Sequence, residues 1–244
     1  MARIKLTLDL TSPDHQRILL HGQSNAGKTF LAGSAMAYYV AQGRSTYFID
    51  TKGEEGTRSI INFGLGGGYA ETVETFADYQ EAIKEVTAAK TDLLVVDSLK
   101  FVWKMIMMHV LKSDRSPVIS KTSTDWQDLY RCYDRMLFDL VGAAKDLIVI
   151  CPSDVSKDMV KDEMLTGPDL PGRKIPDTIA AFDLVGYMVN SSVATMSRRM
   201  LNFQGMNGVT TKFRASKKAL TAGIKVDEGA NAWAGIQKTL DESV

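Results

Sequence analysis

The chain has 244 residues, of which 45% are hydrophobic and 24% are charged, and its formal net charge is zero. Roughly 150 residues make one domain, so this length corresponds to one large domain or two small ones, and we predict one. Two cysteines and three histidines exclude a zinc ribbon or a disulfide scaffold, and this scarcity fits a reducing compartment. No apolar run reaches about 18 residues and the first residues lack a signal-peptide pattern, so we expect neither a membrane span nor secretion.

Short apolar runs alternate with segments of helical periodicity from Arg17 to Cys151. Strands are predicted at Arg17–His21, Thr46–Asp50, Asp92–Asp97 and Leu147–Cys151. Helices are predicted at about Lys28–Gln42, after a cap at Thr75, at Leu99–Leu111, and in the segment that opens with Asp125-Trp126. Strands that alternate with helices in this way are typical of a parallel sheet with crossover helices.

After Cys151 the sequence no longer alternates regularly between apolar runs and segments of helical periodicity. Residues Ser153–Pro176 are charged and rich in turn residues, and they predict an excursion that contains a β-hairpin. Strand-like runs follow at Leu184–Val189, Met200–Phe203 and Val209–Arg214, with a turn at Gly205–Gly208 between the last two. The polar segment Lys112–Thr124 predicts a mobile loop, and the residues after Arg214 show no clear pattern.

The segment between the first strand and the first helix carries the most specific motif in the chain. Its two glycines, separated by four residues and followed by lysine and threonine, match the phosphate-binding P-loop pattern. The glycines let the backbone curl so that N–H groups point at phosphate oxygens, and the helix adds its positive N-terminal end. In this pattern Lys28 reaches the β- and γ-phosphates, and the hydroxyl of Thr29 binds Mg²⁺. The predicted nucleotide-binding residues are Gly22, Gln23, Ser24, Asn25, Ala26, Gly27, Lys28 and Thr29.

A P-loop site also needs a carboxylate that holds the metal ion, and this group usually ends a later buried strand. Asp97 follows Leu94-Val95-Val96, a run that is apolar on both faces and therefore predicts a central strand. We assign Mg²⁺ binding to Thr29 and Asp97. Asp50, at the end of the second strand, is the alternative to Asp97.

Together these motifs resemble the RecA/RadA core. The resemblance is carried by Gly22 to Thr29, by Tyr47-Phe48-Ile49-Asp50-Thr51, and by Val95-Val96-Asp97-Ser98. Other segments are similar to compact phage-encoded RecA-like ATPases, some of which act in single-strand annealing recombination. These segments are Asp125-Trp126, Pro168-Asp169-Leu170-Pro171-Gly172 and Phe182-Asp183-Leu184-Val185-Gly186-Tyr187. The likeness runs from about Arg17 to Arg214.

The resemblance implies an α/β fold with a doubly wound, mainly parallel sheet, to which the sequence adds a short β excursion and C-terminal antiparallel strands. It implies one ATPase domain over residues 1–244, with a core of about 17–214 and a C-terminal extension at 215–244. ATP and Mg²⁺ are expected at the first strand–helix turn, in chains that assemble into rings or filaments on single-stranded DNA. In related motor ATPases a basic residue late in the core reaches the neighbouring protomer's nucleotide, and Lys212 and Arg214 are similar to that pattern.

Two positions depart from the RecA pattern. RecA and RadA carry a catalytic glutamate after the second strand, whereas Lys52 stands at the matching position here, followed closely by Glu54 and Glu55. We assign water activation to one of these glutamates and prefer Glu54, because it projects to the same side as Lys52 in extended chain. Those cores also place a polar sensor of the γ-phosphate after the fourth strand, where this chain has Ser153. Nucleotide binding is therefore better supported than efficient hydrolysis.

Between Asn190 and Val226 the chain has no acidic residue. The basic residues of this stretch are Arg198, Arg199, Lys212, Arg214, Lys217, Lys218 and Lys225. Three interpretations stay open, because such a stretch can track a DNA phosphate backbone, complete a neighbour's ATP site, or form a solvated face.

We predict an ATP-binding and ATP-hydrolysing RecA-like protein of phage type that acts on single-stranded DNA in recombination, repair or replication. The alternative outside the enzymes is an ATP-gated assembly or loader protein with little turnover, an idea that Lys52 favours. A small-molecule phosphotransferase fits less well, because its lid would need several arginines and Ser153–Pro176 contains only Arg173. The expected partners are single-stranded DNA, further copies of the chain, and replication or recombination proteins. We expect a cytoplasmic location, in the host cell if the protein is phage-encoded.

Overall fold

The computed structural model describes residues 16–51, 55–65, 67–112, 123–158, 163–193, 196–203, 209–213, 224–226 and 231–242. The helices in these ranges are α1 (Lys28–Ala41), α2 (Gly56–Asn62), α3 (Phe76–Ala89), α4 (Leu99–Leu111), α5 (Ser123–Val141), α6 (Ile175–Ala181) and α7 (Ala232–Glu242). The strands are β1 (Arg17–Gly22), β2 (Thr46–Thr51), β3 (Tyr69–Val73), β4 (Leu93–Asp97), β5 (Asp146–Asp158), β6 (Glu163–Pro168), β7 (Leu184–Val193), β8 (Met196–Asn202), β9 (Lys212–Phe213) and β10 (Ile224–Val226).

The described strands form one sheet, in which β10, β8, β7, β1, β5, β4, β2 and β3 are successive neighbours. The strands from β7 to β3 in this order run parallel to one another. The strands β8, β9 and β10 and the β5–β6 hairpin are antiparallel. This confirms the predicted α/β fold, with a doubly wound, mainly parallel sheet, a β excursion and antiparallel C-terminal strands. In such sheets ligands bind where the carboxyl ends of the parallel strands meet.

Side chains of the central strands alternate between two apolar layers. Leu19 of β1 and Val149 of β5 pack with residues of α3, α4 and α5 on one face of the sheet. Ile18 and Ile150, the neighbours of these residues along the same strands, pack with α1 and α7 on the other face. All four side chains are at most 1% exposed. Strands that are apolar on both faces require helices on both faces, and this requirement explains the layered architecture.

The C-terminal residues contribute to the core, although their sequence shows no clear pattern. Trp233, Ile236 and Leu240 lie on one face of α7 and pack in the same apolar layer as α1. The segment that we predicted to be a C-terminal extension therefore closes one face of the sheet. The helix α2 and the strand β3 are also present without having been predicted.

Several predicted boundaries need correction. The strand β5 continues past Cys151 and pairs with β6, which confirms the predicted hairpin. Of the described part of the predicted strand Val209–Arg214, residues 209–213, only Lys212–Phe213 pairs with β7, while Val209 makes an isolated bridge to Thr166. The predicted turn at Gly205–Gly208 lies outside the described residues, and so does most of the predicted loop before α5. None of the helices in the described ranges combines the length and hydropathy needed to cross a membrane.

The start of α3 offers a test of this local structure. Thr75 Oγ1 accepts a hydrogen bond of 3.2 Å from the backbone N–H of Asp78, and the Asp78 carboxylate accepts one of 2.9 Å from the N–H of Thr75. We expect Thr75→Ala to lower the free energy of unfolding by about 1 kcal/mol, because the backbone N–H of Asp78 loses its capping partner. Thr87→Ala, the same change on the exposed face of α3, is the control and should shift it by less than about 0.5 kcal/mol. Equal losses in the two variants, measured by urea denaturation, would contradict the capping role.

Candidate nucleotide-binding site

The predicted phosphate loop leaves β1 and enters α1 at the edge where the parallel strands end. Strand register places Gly22 beside Pro152 of β5 and Met188 of β7. Asp97 is the last residue of β4, which lies on the far side of β5 from β1. The fold therefore brings two motifs together that are far apart in the chain.

The contacts around two glycines of the loop leave no room for a side chain. Gly27 has a φ of 93°, a left-handed conformation that other residues rarely adopt. A Cβ at Gly27 would lie 2.8 Å from Cδ of Arg199, and a Cβ at Gly22 would collide with the carbonyl oxygen of Met188. Asn25 is also left-handed, with a φ of 61°. The backbone between β1 and α1 thus has the curled form that phosphate binding requires.

Lys28 and Thr29 begin α1 and make the principal side-chain contacts of the site. The amine of Lys28 donates to the carbonyl oxygens of Gly22 at 2.9 Å and Gln23 at 2.8 Å, so the loop itself holds it in place. The hydroxyl of Thr29 donates to Oδ2 of Asp97 at 2.6 Å, across 68 residues of sequence. Asp97 is 1% exposed. The structure therefore joins the residues that the sequence analysis assigned to phosphate and metal binding.

The pair of oxygens from Thr29 and Asp97 suits Mg²⁺. This ion prefers oxygen ligands, keeps several waters, and in nucleotide sites uses one or two carboxylates together with substrate phosphates. Among the described residues no three histidine, cysteine or carboxylate side chains cluster as a metal site. An all-protein metal cage is not expected for Mg²⁺, so the residues present fit a metal ion shared with a nucleotide.

Asp50, the alternative metal ligand, has a different set of partners. Its strand position is level with Asp97, and it is 4% exposed. However, its carboxylate accepts hydrogen bonds from the backbone N–H groups of Gly56 at 3.2 Å and Thr57 at 2.8 Å. Asp50 thus holds the first turn of α2 against the sheet, and the structure favours Asp97 as the metal ligand.

The candidate water-activating residues are only partly described. Lys52 and Glu54 lie outside the described residues, whereas Glu55 stands at the start of α2. Its carboxylate is 75% exposed and lies 3.9 Å from the guanidinium of Arg58. Glu55 lines a neighbouring groove with Arg58 and Ile61 rather than the cleft that contains Lys28. Glu55 is thus the one candidate glutamate that the structure describes, and it does not lie at the phosphate loop.

Two of the basic residues late in the chain, Arg199 and Lys212, lie in different parts of the described structure. The amine of Lys212 donates to the carbonyl oxygens of Ile179, Ala180 and Phe182, so it binds the C-terminal end of α6 in its own chain. Arg199 lies against the phosphate loop, which corrects the interpretation of the whole stretch as one DNA path or one solvated face. Arg214, Lys217 and Lys218 lie outside the described residues.

The phosphate loop forms one wall of a cavity of about 480 Å³. Phe30 and Phe63 form an apolar end of this cavity, with their rings edge to face at 5.3 Å. Asp97 and Thr29 are among its polar lining residues. The remaining lining residues are Ser24, Asn25, Gly27, Lys28, Ser59, Ile150, Pro152 and Arg199.

His21 is a buried residue of the site that the sequence analysis did not single out. It directly precedes Gly22, and its ring nitrogens contact the hydroxyl of Ser153 at 2.8 Å and the carbonyl oxygen of Thr210 at 2.6 Å. The carbonyl can only accept, so Nε2 carries the hydrogen and Nδ1 accepts from Ser153. Burial, together with the charge of Lys28, lowers the pKa of His21 from 6.5 to about 4. His21 thus stays neutral at pH 7 and ties the candidate γ-phosphate sensor to the phosphate loop.

This low pKa has a definite consequence for stability. Below about pH 6.5 the unfolded chain protonates His21 while the folded chain does not, so the free energy of unfolding falls as the pH drops towards 4. The contribution of His21 to this slope is at most about 1.4 kcal/mol per pH unit. We expect His21→Gln, which retains an amide donor, to show a shallower loss of stability than the wild type between these pH values. The free energies of unfolding are measured by urea denaturation at several pH values. An equal loss of stability in both proteins would contradict the low pKa assigned to His21.

A family model described as AAA domain matches residues 14–215 of the chain. No curated protein matches the sequence. Among solved structures, the chain is similar to the flagellar accessory protein FlaH from Methanocaldococcus jannaschii, with a TM-score of 0.47 and 11% identity. That similarity covers 87% of this chain and 86% of the other. The family match covers all the residues that line the cleft.

Proposed function

We propose, from the premise that the chain belongs to the AAA-domain family, that it binds and hydrolyses ATP and acts on single-stranded DNA. The observation that carries the ATPase part is the 2.6 Å hydrogen bond between Thr29 and Asp97 beside Lys28. It unites a phosphate-binding amine, a hydroxyl and a buried carboxylate at the edge of the sheet where ligands bind. The family match supports a P-loop nucleoside triphosphatase, and the DNA part is supported by the resemblance to phage-encoded recombination ATPases.

Each residue of the site has a defined task in this proposal. The N–H groups of the loop and the start of α1 bind phosphate oxygens, because the N-terminal end of a helix carries partial positive charge. Lys28 contributes its charge to the β- and γ-phosphates, and Thr29 and Asp97 hold Mg²⁺. The chemistry that Mg²⁺ supplies when bound is neutralisation of the charge that develops on the transferred phosphate. Glu54 activates the attacking water, and Arg214 reaches the nucleotide of a neighbouring protomer in a ring or filament.

Mutation of the two central residues separates binding from hydrolysis. We expect Lys28→Ala to weaken ATP binding at least about tenfold, or roughly 1.4 kcal/mol, because it removes the charge next to the phosphates. Asp97→Asn should preserve much of the affinity but reduce Mg²⁺-dependent turnover. Isothermal titration calorimetry and phosphate release measure the two effects. Lys84→Ala, on the exposed face of α3, is the matched control. Binding by Lys28→Ala that equals the wild type would show that the loop is not the nucleotide site.

The DNA part of the proposal rests on the residues between Asn190 and Val226, which include no acidic side chain. With Arg199 at the phosphate loop and Lys212 bound to α6, the candidates for a DNA path are Arg198, Lys217 and Lys218. A contact between a basic residue and a phosphate releases a counterion, so binding that uses these residues must weaken as salt rises.

We expect Lys217→Ala/Lys218→Ala to reduce the slope of log affinity against log salt by roughly one to two units for a single-stranded oligonucleotide. Fluorescence anisotropy at several salt concentrations measures this slope. Lys84→Ala/Lys104→Ala, in which two other exposed lysines are removed, should leave the slope unchanged. An equal slope for wild type and the first variant would remove these residues from the DNA path.

A second candidate function is favoured by Lys52, which stands where RecA has its catalytic glutamate. A lysine has a reference pKa of about 10.4, so it is protonated at neutral pH and cannot accept a proton from water. In this candidate the protein is an ATP-gated assembly or loader protein with little turnover. Phosphate release with and without single-stranded DNA separates the two functions. Stimulation by DNA supports the ATPase, whereas tight ATP binding with no release supports the loader.

A further inference from the structure

Arg199 comes from a part of the fold that the P-loop motif does not include. It lies on β8, level with Asn190 of β7 and Val226 of β10, so strands on both sides fix its backbone. Because β7 is the neighbour of β1, this arrangement carries the Arg199 side chain onto the loop that follows β1. Its position is therefore built into the sheet.

The contacts of Arg199 place it inside the cleft. Its Cδ lies 2.8 Å and its Nε 3.0 Å from the position that a Cβ of Gly27 would occupy. Its guanidinium carbon lies 5.0 Å from the centre of the Phe30 ring. The absence of a side chain at Gly27 thus makes room both for the curled backbone and for this arginine.

The Nε atom of Arg199 is buried and has no hydrogen-bond acceptor among the described residues. A guanidinium offers five N–H donors in a planar fork that matches phosphate oxygens. A buried donor without an acceptor is unfavourable unless a ligand supplies one. The Arg199 side chain can therefore donate a hydrogen bond to an anion that enters the cleft.

The position along the cleft indicates which part of the nucleotide Arg199 meets. Thr29 and Asp97 mark the metal end, and the amine of Lys28 serves the β- and γ-phosphates. Arg199 lies over Gly27 and Phe30, towards the apolar end that Phe30 and Phe63 form. The loop backbone of this motif cradles the α- and β-phosphates, so an arginine that lies against Gly27 is next to these phosphates.

We propose that Arg199 binds the α- and β-phosphates of the nucleotide held by its own chain. The inference rests on the proposed function, because it assumes that the cleft binds ATP. It makes Arg199 a binding residue in cis that recognises a nucleoside diphosphate as well as a triphosphate. An arginine from a neighbouring protomer that stabilises the γ-phosphate would instead discriminate between the two.

Titration calorimetry of Mg²⁺-ADP and Mg²⁺-ATP against wild type, Arg199→Ala and Arg199→Lys tests the inference. We expect Arg199→Ala to weaken both nucleotides by a similar factor of about ten to a hundred, because one charge-assisted phosphate contact is lost from each. Arg199→Lys keeps the charge but loses the fork, so its affinity should be intermediate. Arg131→Ala, which removes an arginine that is 79% exposed on α5, is the matched control and should bind as the wild type does.

Several outcomes would overturn the inference. Unchanged binding of both nucleotides would show that Arg199 only packs against the loop. A loss confined to ATP would place its contact at the γ-phosphate. Weaker binding of single-stranded DNA with unchanged nucleotide affinity would show that Arg199 contacts DNA and not the nucleotide. Wild-type protein that binds neither nucleotide would overturn the proposed function itself, which distinguishes the two failures. Arg199→Lys keeps the test valid if Arg199→Ala does not fold, as judged by circular dichroism.

Discussion

The hydrogen bond between Thr29 and Asp97 is the contact on which the candidate site depends. It joins the first turn of α1, the helix that follows β1, to the end of β4, and β5 lies between β1 and β4 in the sheet. Such a contact forms only when β1, β5 and β4 run parallel and end at the same level. The apolar side chains that alternate on both faces of these strands enforce that alignment, so the core positions the chemistry.

The C-terminal half of the chain forms a wall of the cleft rather than a separate appendage. Met188 of β7 packs against Gly22, Arg199 of β8 packs against Gly27, and Thr210 accepts a hydrogen bond from His21. Three consecutive strands or segments after β6 thus contact the residues around the phosphate loop. The contacts of Met188, Arg199 and Thr210 would therefore change if the loop moved, and β8 also carries the basic residues Arg198 and Arg199.

The sequence alone predicts the phosphate loop, Asp97 and the central strands, because each depends on local pattern and on apolar runs. It does not distinguish Asp97 from Asp50, since both end buried strands; only the structure shows that α2 turns its N–H groups onto Asp50. A count of basic residues likewise cannot tell that Arg199 points to the loop while Lys212 binds α6. His21 escapes prediction because a histidine in a short apolar strand carries no signal of its distant partners. Long-range packing decides all of these cases.

The most direct test of the central claim is a crystal structure with Mg²⁺ and a non-hydrolysable ATP analogue. In such a structure we expect the phosphates to lie within the loop between β1 and α1. We expect the amine of Lys28 to contact the β- and γ-phosphates, and Mg²⁺ to lie beside the hydroxyl of Thr29. We also expect the Thr29 hydroxyl to leave the carboxylate of Asp97 in order to bind the metal ion. Density for the analogue outside the cleft would show that the cleft is not the nucleotide site. A Thr29–Asp97 hydrogen bond that persists with Mg²⁺ bound elsewhere would show that Thr29 is not a metal ligand.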